Sequence, residues 1–269
     1  SGAVLLARNL LALKAMENLA DVWTGSRLLW LKGGALLACG CVDIRRRPMQ
    51  DADLLVRSGD LASLGYFLLE MGYKKQRDGF AFVKEGVMID LHSDVWYLDG
   101  RELESLWEKA VSVESGSARL WIPAPGDHLV FVLAHAAVQH GTPEPKWAGD
   151  VRGILSHHAR ELDFALVLKE VNRLGFAHPV QRFLRQAGLK DLWERAAGRE
   201  TPLFYARRSK VLEAQFAAKG HLFRFIYLRN WIFRLRFLAK SLWPPSSVVA
   251  LRYDLQGWRN IFLWRFLRP

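Results

Sequence analysis

The stretch Asp51-Ala52-Asp53-Leu54-Leu55-Val56 decides the fold class, because it reads as a strand with one polar face. Side chains two residues apart on a strand point to the same side, so Asp51 and Asp53 project together and the intervening apolar residues project oppositely. Adjacent carboxylates are costly unless a cation lies between them. Mg²⁺ is the natural choice, since it takes hard oxygen ligands and bridges to phosphates. The alternative is an exposed strand edge with two ordinary aspartates, which is the commoner meaning of an isolated Asp-x-Asp.

A second strand pattern supplies a third carboxylate. In residues 87–92 (VMIDLH), Asp90 and His92 share one face, while Ile89 and Leu91 face the core. A third carboxylate on a neighbouring strand is what a two-metal site requires. His92 either orients Asp90 or contacts a nucleotide, or it is a packed, hydrogen-bonded histidine.

A glycine pair precedes both carboxylate strands. Leu31-Lys32-Gly33-Gly34-Ala35 joins a short apolar strand, predicted over residues 27–31, to a helix predicted over residues 35–39. Glycines let the backbone approach a phosphate closely, and a helix N-terminus offers free amide donors. A simple turn is the alternative for a Gly-Gly pair.

The order of predicted elements gives the architecture. An amphipathic helix over residues 3–22, a helix over residues 61–71 and a hairpin of residues 80–84 with 87–92 belong to the first part. Long helical patterns follow from about residue 123. We therefore predict an α+β or α/β arrangement of strands and helices in residues 1–122. An all-helical second domain with a basic aromatic tail is predicted for residues 123–269.

The two cysteines and the lengths of the apolar runs indicate the cellular location of the protein. Cys39 and Cys41 flank one glycine, too close for an ordinary disulfide, and no neighbouring His or Cys gives a zinc-ligand spacing. They are interpreted as reduced thiols in a cytoplasmic protein. No apolar run approaches the roughly 18 residues that a membrane-spanning helix needs, so no transmembrane segment is predicted.

The positive charge is concentrated in the tail. Residues 199–269 contain 14 basic and 3 acidic residues, which accounts for the whole net charge of +11. Aromatic residues alternate with arginines over residues 222–243, and these cations do not gather on one helical face, against a membrane-surface helix. The aromatics are expected to pack on the helical domain, leaving the cations for water or a polyanion such as nucleic acid. A short aromatic helix is predicted over residues 256–266.

Taken together, the motifs resemble the DNA polymerase β-like nucleotidyltransferase superfamily. Within it, Leu31-Lys32-Gly33-Gly34, then Arg47-x-x-x-Asp51-x-Asp53-Leu54-Leu55-Val56, then Ile89-Asp90-Leu91-His92, resemble uncharacterised bacterial nucleotidyltransferases whose motifs read KG, RxxxDxDLLV and DLH. The resemblance continues through Leu133-x-His135, His140, Trp147 and Asp150. It implies an α+β fold, with a nucleotidyltransferase mixed sheet and flanking helices in residues 1–122 followed by the all-helical domain.

The resemblance implies roles for particular residues. Gly33 and Gly34 would contact nucleotide phosphates, Asp51 and Asp53 would bind metal, and Asp90 would bind metal or act as a base. Two Mg²⁺ ions and a nucleoside triphosphate, ATP or another, are the implied cofactor and substrate.

Other motif residues have competing interpretations. Lys32 and Arg47 would neutralise phosphate charge, or form structural ion pairs. His135 and His140, about 140° apart on an α-helix, cannot easily bind one metal; structural roles are favoured for both, and the alternative is that either one lines the cleft. Asp150 suits helix capping as well as substrate contact.

Two functions therefore compete. The leading hypothesis is an enzyme that transfers a nucleoside monophosphate to a hydroxyl or phosphate of an unidentified small-molecule, peptide or nucleic-acid acceptor. The alternative is a non-catalytic member of the same fold that binds nucleotide, RNA or a protein partner. The joint presence of Asp51, Asp53 and Asp90 favours the enzyme, because a binding module does not need all three.

We predict that any affinity for nucleic acid or anionic lipid resides in residues 199–269 and weakens with salt. Replacing Arg229, Arg234 and Arg236 by Gln should lower that affinity and flatten its salt dependence, by about one unit of log–log slope for each phosphate that these arginines neutralise. A salt titration of binding measures this, with three substitutions among basic residues before position 199 as the control. Unchanged binding by the tail variant would contradict the prediction.

Overall fold

The computed structural model describes residues 2–77, 79–140, 144–197, 231–255 and 259–260, and the side chains of residues 195–197 are not described. The helices are α1 (Gly2–Val22), α2 (Lys32–Ala38), α3 (Leu61–Glu70), α4 (Gly100–Lys109), α5 (Pro125–Ala134), α6 (Pro145–His157), α7 (Phe164–Arg173), α8 (Ala177–Gln186), α9 (Lys190–Ala197), α10 (Trp231–Leu242) and α11 (Ser246–Tyr253). The strands are β1 (Leu29–Trp30), β2 (Ala52–Leu55), β3 (Lys74–Lys75), β4 (Ala81–Lys84), β5 (Val87–His92), β6 (Val111–Ser115) and β7 (Ala118–Ile122). A π-helical turn, His135–His140, continues α5.

The strands form one mixed seven-stranded sheet in the order β3-β4-β5-β2-β1-β7-β6. Strand β2 pairs in parallel with β5 and antiparallel with β1, so it lies in the interior of the sheet. In the parallel pair Asp53 lies opposite Asp90, and Leu55 lies opposite His92. The predicted α+β fold with flanking helices and a helical region after the sheet is confirmed.

Apolar layers cover the two faces of the sheet. On one face Leu54 and Ile89 pack with Met16 of α1 and Leu64 of α3. On the other face, Leu55 belongs to a cluster that includes side chains of α5 to α8. All four residues of β2 are therefore buried, whereas β5 alternates between buried and half-buried positions. An aspartate on β2 is thus placed inside the protein, which requires compensation for its charge.

The predicted helix over residues 3–22 and the hairpin β4–β5 are confirmed. The hairpin turn has φ of 50° at Glu85 and 78° at Gly86, the left-handed pair typical of a two-residue turn. Helix α2 begins at Lys32, earlier than predicted, and includes both glycines. The sequence patterns had not indicated α4 or the hairpin of β6 with β7.

The division into residues 1–122 and 123–269 falls between β7 and α5. The larger apolar cluster contains Leu29 and Leu55 of the sheet together with Leu133 and Val151 of the helices, so the two parts share a core. The division stays a proposal.

The tail differs from its prediction where the structure describes it. Helix α10 buries Phe233 among its residues, while Trp231, Leu235 and Leu242 are exposed. Helix α11 packs on α3 in the first part, with the Leu251 side chain against Gly65. The exposure of Trp231 goes against the expectation that the tail aromatics pack on the helical domain. For the other aromatics of residues 222–243 that expectation stays a prediction.

Other parts of the tail prediction lie outside the described residues. These are Arg229, the first half of the segment over residues 222–243, and most of the helix predicted over residues 256–266. None of the described helices has both the length and the apolar composition to span a bilayer.

Two glycines of α6 provide a test of its packing. A Cβ on Gly153 would lie 2.2 Å from the carbonyl oxygen of Cys41, whereas a Cβ on Gly149 would have no neighbour within 4 Å. We expect Gly153→Ala to lower the free energy of unfolding by about 1–3 kcal/mol through overpacking. Gly149→Ala should raise it by roughly 0.5–1 kcal/mol through helix propensity. Urea unfolding of both variants measures the difference, and equal stabilities would contradict the close contact between α6 and Cys41.

Candidate functional site

The predicted site residues, except Gly34, line one cleft, with a volume of about 370 Å³, between the sheet and the helical half. From the first part they are Lys32, Gly33, Arg47, Asp51, Asp53, Asp90 and His92; from the helical half the lining includes His135, Gln139, His140, Lys146, Trp147 and Asp150. A larger cavity of about 480 Å³ lies beside α4, α5 and α7 and contains none of them. The convergence of charged groups, rather than size, identifies the smaller cleft as the candidate site.

Asp53, Asp90 and His92 form its centre. The ligand atoms of these three side chains all lie within 4.8 Å of one another. His92 Nε2 is 2.8 Å from Asp53 Oδ1 and 3.3 Å from Asp90 Oδ2, so one imidazole nitrogen contacts both carboxylates. The parallel register of β2 and β5 produces this arrangement, because it places Asp53 beside Asp90. Asp51 lines the same cleft but does not belong to this tight group.

Lys32 supplies the opposite charge. Its Nζ lies 2.5 Å from Asp53 Oδ1, and its side chain is 18% exposed against 4% for Asp53. Lys32 has a φ of 47°, a left-handed conformation that is uncommon for a residue with a Cβ. The buried ring of His128 on α5 hydrogen-bonds the backbone of Lys32. Strained backbone held by surrounding contacts is typical of functional sites.

The carboxylates differ in their protonation equilibria. Burial alone would raise the pKa of Asp53, but the charges and hydrogen bonds of Lys32 and His92 outweigh it and hold that pKa well below its usual range. Burial raises the pKa of Asp90, and burial together with the nearby Asp53 charge raises the pKa of Asp51. Asp53 is therefore the firmly ionised carboxylate, whereas ionised Asp51 and Asp90 are less stable in the folded chain.

Arg47 forms an ion pair with Asp150. Its Nε donates to Asp150 Oδ1 at 3.1 Å and its Nη2 donates to Oδ2 at 2.9 Å, a two-point ion pair between largely buried side chains. The structural ion pair considered for Arg47 is thus present, but with Asp150 of the helical half instead of the neighbouring aspartates. Asp150 lies within α6, so the helix-capping interpretation of this residue is wrong.

The two glycines have different surroundings. A Cβ on Gly33 would lie 2.8 Å from Arg47 Nη1, so a side chain there would displace the guanidinium from the cleft wall. A Cβ on Gly34 would lie 3.3 Å from the Met16 side chain, towards the apolar layer, and Gly34 does not line the cleft. The lack of a side chain at Gly34 is explained by packing against α1, and phosphate contact by either glycine stays a prediction.

His135 and His140 are closer together than an α-helix allows. Their ring centroids are 4.5 Å apart, and His140 also lies 4.5 Å from the Trp147 ring. The π-helical turn explains this, because its i→i+5 pattern brings residues five apart into register. Both histidines line the cleft, against the structural roles assigned from α-helical geometry. Burial, with the positive charge of Lys32, lowers the pKa of His135 to about 3, so this ring is neutral at physiological pH.

Sequence patterns did not indicate Lys146, Gln139 or His128. Lys146 Nζ lies 3.0 Å from Glu144 and 4.8 Å from the centre of the Trp147 ring, at the edge of the cleft. Only their positions in the sequence could have indicated the first two, since Lys146 precedes Trp147 and Gln139 precedes His140. His128 gave none, because it lies in an apolar helical stretch where a core histidine is expected.

Comparison with known families decides the assignment. The family described as uncharacterised nucleotidyltransferase matches residues 4–189, which include the whole cleft. The chain belongs to this family. A search of curated proteins finds no match.

Nucleotidyltransferases generally use a divalent cation, so membership of this family leads us to expect one here. The donors that converge here are two carboxylates and one imidazole, and hard carboxylate oxygens suit Mg²⁺. Asp53 and Asp90 fit the role of metal ligands, with Asp51 on the same cleft wall. Metal binding by these residues stays a prediction.

We expect Asp53→Asn to lower the thermal stability of the protein in EDTA, because it leaves the largely buried Lys32 without its charge partner. Breaking a buried ion pair costs roughly 3–5 kcal/mol, and partial exposure of Lys32 places this loss near the lower limit. Asp90→Asn should leave stability unchanged or raise it, since the raised pKa of Asp90 means that its charge is disfavoured in the folded state.

Thermal unfolding measured as a function of pH tests the sign of the contribution that ionised Asp53 makes to stability. With its depressed pKa, Asp53 contributes its full stabilisation above the ordinary value of 3.8 and loses it as the pH falls further. The stability difference between wild type and Asp53→Asn should therefore be constant at neutral pH and shrink only in strong acid. A variant as stable as wild type at pH 7 would contradict the assignment.

Proposed function

We propose that the protein transfers a nucleoside monophosphate from a Mg²⁺-bound nucleoside triphosphate to a hydroxyl or phosphate of an acceptor, releasing pyrophosphate. The observation that carries the proposal is the alignment of Asp53 with Asp90 on adjacent parallel strands, at a cleft that also contains Lys32. The family match supports the class of reaction, and the acceptor is open.

The charge distribution of the cleft suits a triphosphate. Lys32, Arg47 and Lys146 line it together with the acidic centre. Lys32 lies nearest to the carboxylates and is placed to neutralise phosphate oxygens close to the reacting phosphorus. Arg47, fixed by Asp150, presents its guanidinium in one orientation, which limits the positions that a phosphate chain can take.

In the reaction, a bond forms between the acceptor oxygen and the α-phosphorus, and the bond from that phosphorus to the pyrophosphate oxygen breaks. Asp51 and Asp53 would hold the Mg²⁺ that carries the triphosphate, and Asp90 would complete the ligands of a second Mg²⁺ on the acceptor side; the ions would supply charge neutralisation for the phosphate oxygens. Asp90 accepts the proton of an acceptor hydroxyl, a role that its raised pKa favours over that of Asp53. An acceptor phosphate, already ionised, has no proton to give up.

The non-catalytic alternative would use the same cleft for binding alone. Against it stands the electrostatic cost of the acidic centre, since Asp51 and Asp90 both have raised pKa values. Perturbed carboxylates grouped in a cleft are more typical of catalytic than of structural sites. Retention of nucleotide binding with no transfer to any acceptor would favour the alternative.

Variants of the three aspartates separate binding from chemistry. Asp90→Asn should keep most of the affinity for NTP–Mg²⁺ and lose turnover by about 10²-fold or more, because Asn keeps the size of the side chain and removes the base. Asp51→Asn and Asp53→Asn should lose both binding and turnover. Equilibrium dialysis with each of the four NTPs measures binding, and pyrophosphate release with mass spectrometry of acceptors measures transfer.

Acceptors for this assay should include a sugar phosphate, an RNA 3′ end and the chain itself, with transfer to water as background. Asp21→Asn, an exposed substitution on α1, is the matched control and should behave as wild type. Wild-type turnover in Asp90→Asn would remove Asp90 from the mechanism. Nucleotide binding that is unchanged in Asp53→Asn would contradict the proposed site.

A further inference from the structure

A second cluster of metal-binding side chains lies outside the catalytic cleft. Cys39 Sγ and Cys41 Sγ are 2.7 Å apart, and Cys41 Sγ is 3.6 Å from His158 Nε2. The ligand atoms of all three residues lie within 4.8 Å of one another. His158 is 117 residues from Cys41, so the chain has to fold before these groups meet.

The backbone at the end of α2 brings the two thiols together. Gly40 has a φ of 70°, and its N–H donates to Leu37 O while Cys41 N–H donates to Leu36 O. This left-handed glycine ends the helix and turns the chain, so that Cys41 returns towards Cys39 instead of continuing along the axis. A residue with a Cβ would adopt this conformation only at a cost.

The histidine is held in place from the other helix. His158 follows the last residue of α6, and the close approach of Gly153 to the Cys41 carbonyl fixes α6 against the turn. His158 Nδ1 lies 3.4 Å from Glu161 Oε2. A carboxylate on one imidazole nitrogen, with the other nitrogen directed at thiols, is the arrangement found around metal-ligating histidines. The His158 side chain is only 15% exposed, whereas that of Glu161 is 73% exposed.

We propose that Cys39, Cys41 and His158 bind a zinc-class metal ion, with solvent as the fourth ligand. Two sulfurs and an imidazole nitrogen are soft to borderline donors, which select Zn²⁺ and related ions over the Mg²⁺ expected in the cleft. The cysteines bind as thiolates, so two protons pass to solvent on binding.

One of the separations between ligand atoms already matches a tetrahedral ion. With Zn–S near 2.3 Å and Zn–N near 2.05 Å, tetrahedral angles require about 3.6 Å between sulfur and nitrogen and about 3.8 Å between sulfurs. The Cys41–His158 separation of 3.6 Å meets the first requirement. The thiols, 2.7 Å apart, need to separate by about 1 Å, which rotation of the half-buried Cys39 side chain supplies.

The position of this cluster gives a bound ion a structural role near the candidate cleft. Helix α2 begins with Lys32 and Gly33, and α6 carries Lys146, Trp147 and Asp150, so both helices contribute residues to the lining of the candidate cleft. An ion bound at their C-terminal ends would link the two helices through coordinate bonds. The site is independent of the proposed transfer reaction, and its test does not depend on activity.

Cobalt titration of the full chain in a phosphine reductant tests the proposal. The chain has two cysteines, so any thiolate-to-cobalt charge-transfer band in the near ultraviolet reports this site alone. We expect the band to saturate at one Co²⁺ per chain and to disappear when Zn²⁺ is added. Cys39→Ser and Cys41→Ser should lose the two-sulfur intensity, and His158→Ala should bind at least about 10-fold more weakly.

Control variants distinguish metal binding at this site from metal binding in the cleft, and loss of binding from loss of folding. His157→Ala removes an exposed ring that packs edge-on against His158, at 4.7 Å between centroids, but that supplies no ligand atom to the cluster; this variant should keep the band and the stoichiometry of one Co²⁺ per chain. Asp53→Asn should keep the band, since its site is distinct. Added Zn²⁺ should raise the melting temperature of wild type and of Asp53→Asn but not of Cys41→Ser, while circular dichroism shows that each variant is folded.

Three outcomes would overturn the proposal. One is the absence of a charge-transfer band in the reduced, folded chain. Another is unchanged Co²⁺ affinity in His158→Ala, which would reduce the site to an ordinary dithiol. The third is evidence for a disulfide instead of a metal site. Without reductant the mass of the chain would fall by two units and neither thiol would react, and the reduced chain would bind no metal.

Discussion

The structure depends on one ionised carboxylate placed inside a two-sided core. Asp53 lies on an interior strand whose neighbours are apolar on both faces, and it is 3% exposed. Such a charge is tolerated only because Lys32 and His92 both contact the same carboxylate oxygen. Several features follow from this requirement: the left-handed backbone of Lys32, the hydrogen bond from His128 to that backbone, and the pairing of β2 with β5 that places His92 within reach.

A second constraint couples the sheet to the helices. The ion pair of Arg47 with Asp150 spans the cleft wall, and buried Asn9 of α1 donates through Nδ2 to the carbonyl oxygens of Ile44 and Arg47, which holds the loop that carries the guanidinium. The helical half is therefore part of the candidate site. It supplies the partner that orients Arg47, and it closes the face of the sheet on which Asp53 and Asp90 lie.

Much of this could be predicted from local pattern. The alternation of β5 places Asp90 and His92 together, and strand periodicity is a short-range property that survives folding. What could not be predicted depends on contacts distant in sequence. The role of Asp150 could not be assigned from the sequence, because its partner Arg47 is distant along the chain. No metal-ligand spacing included His158, because the cysteines near it in the fold are more than a hundred residues away in sequence. The positions of His135 and His140 were misjudged for a different reason, since the helix carrying them changes its period from α to π.

That change of period has an evolutionary consequence. A π turn contains one residue more than the α-helical path that it replaces, so it behaves as a tolerated insertion inside a helix. Loss of one residue between His135 and His140 would restore the α period and leave α5 intact. The two histidines would then lie four residues apart, about 40° around the axis, so they would stay on one face of the helix. Substitutions that return the turn to the α period without loss of a residue would instead place them about 140° apart and end the contact between their rings. Relatives can therefore keep this histidine pair with a spacing of five in a π turn or a spacing of four in an α-helix, but not with a spacing of five in an α-helix.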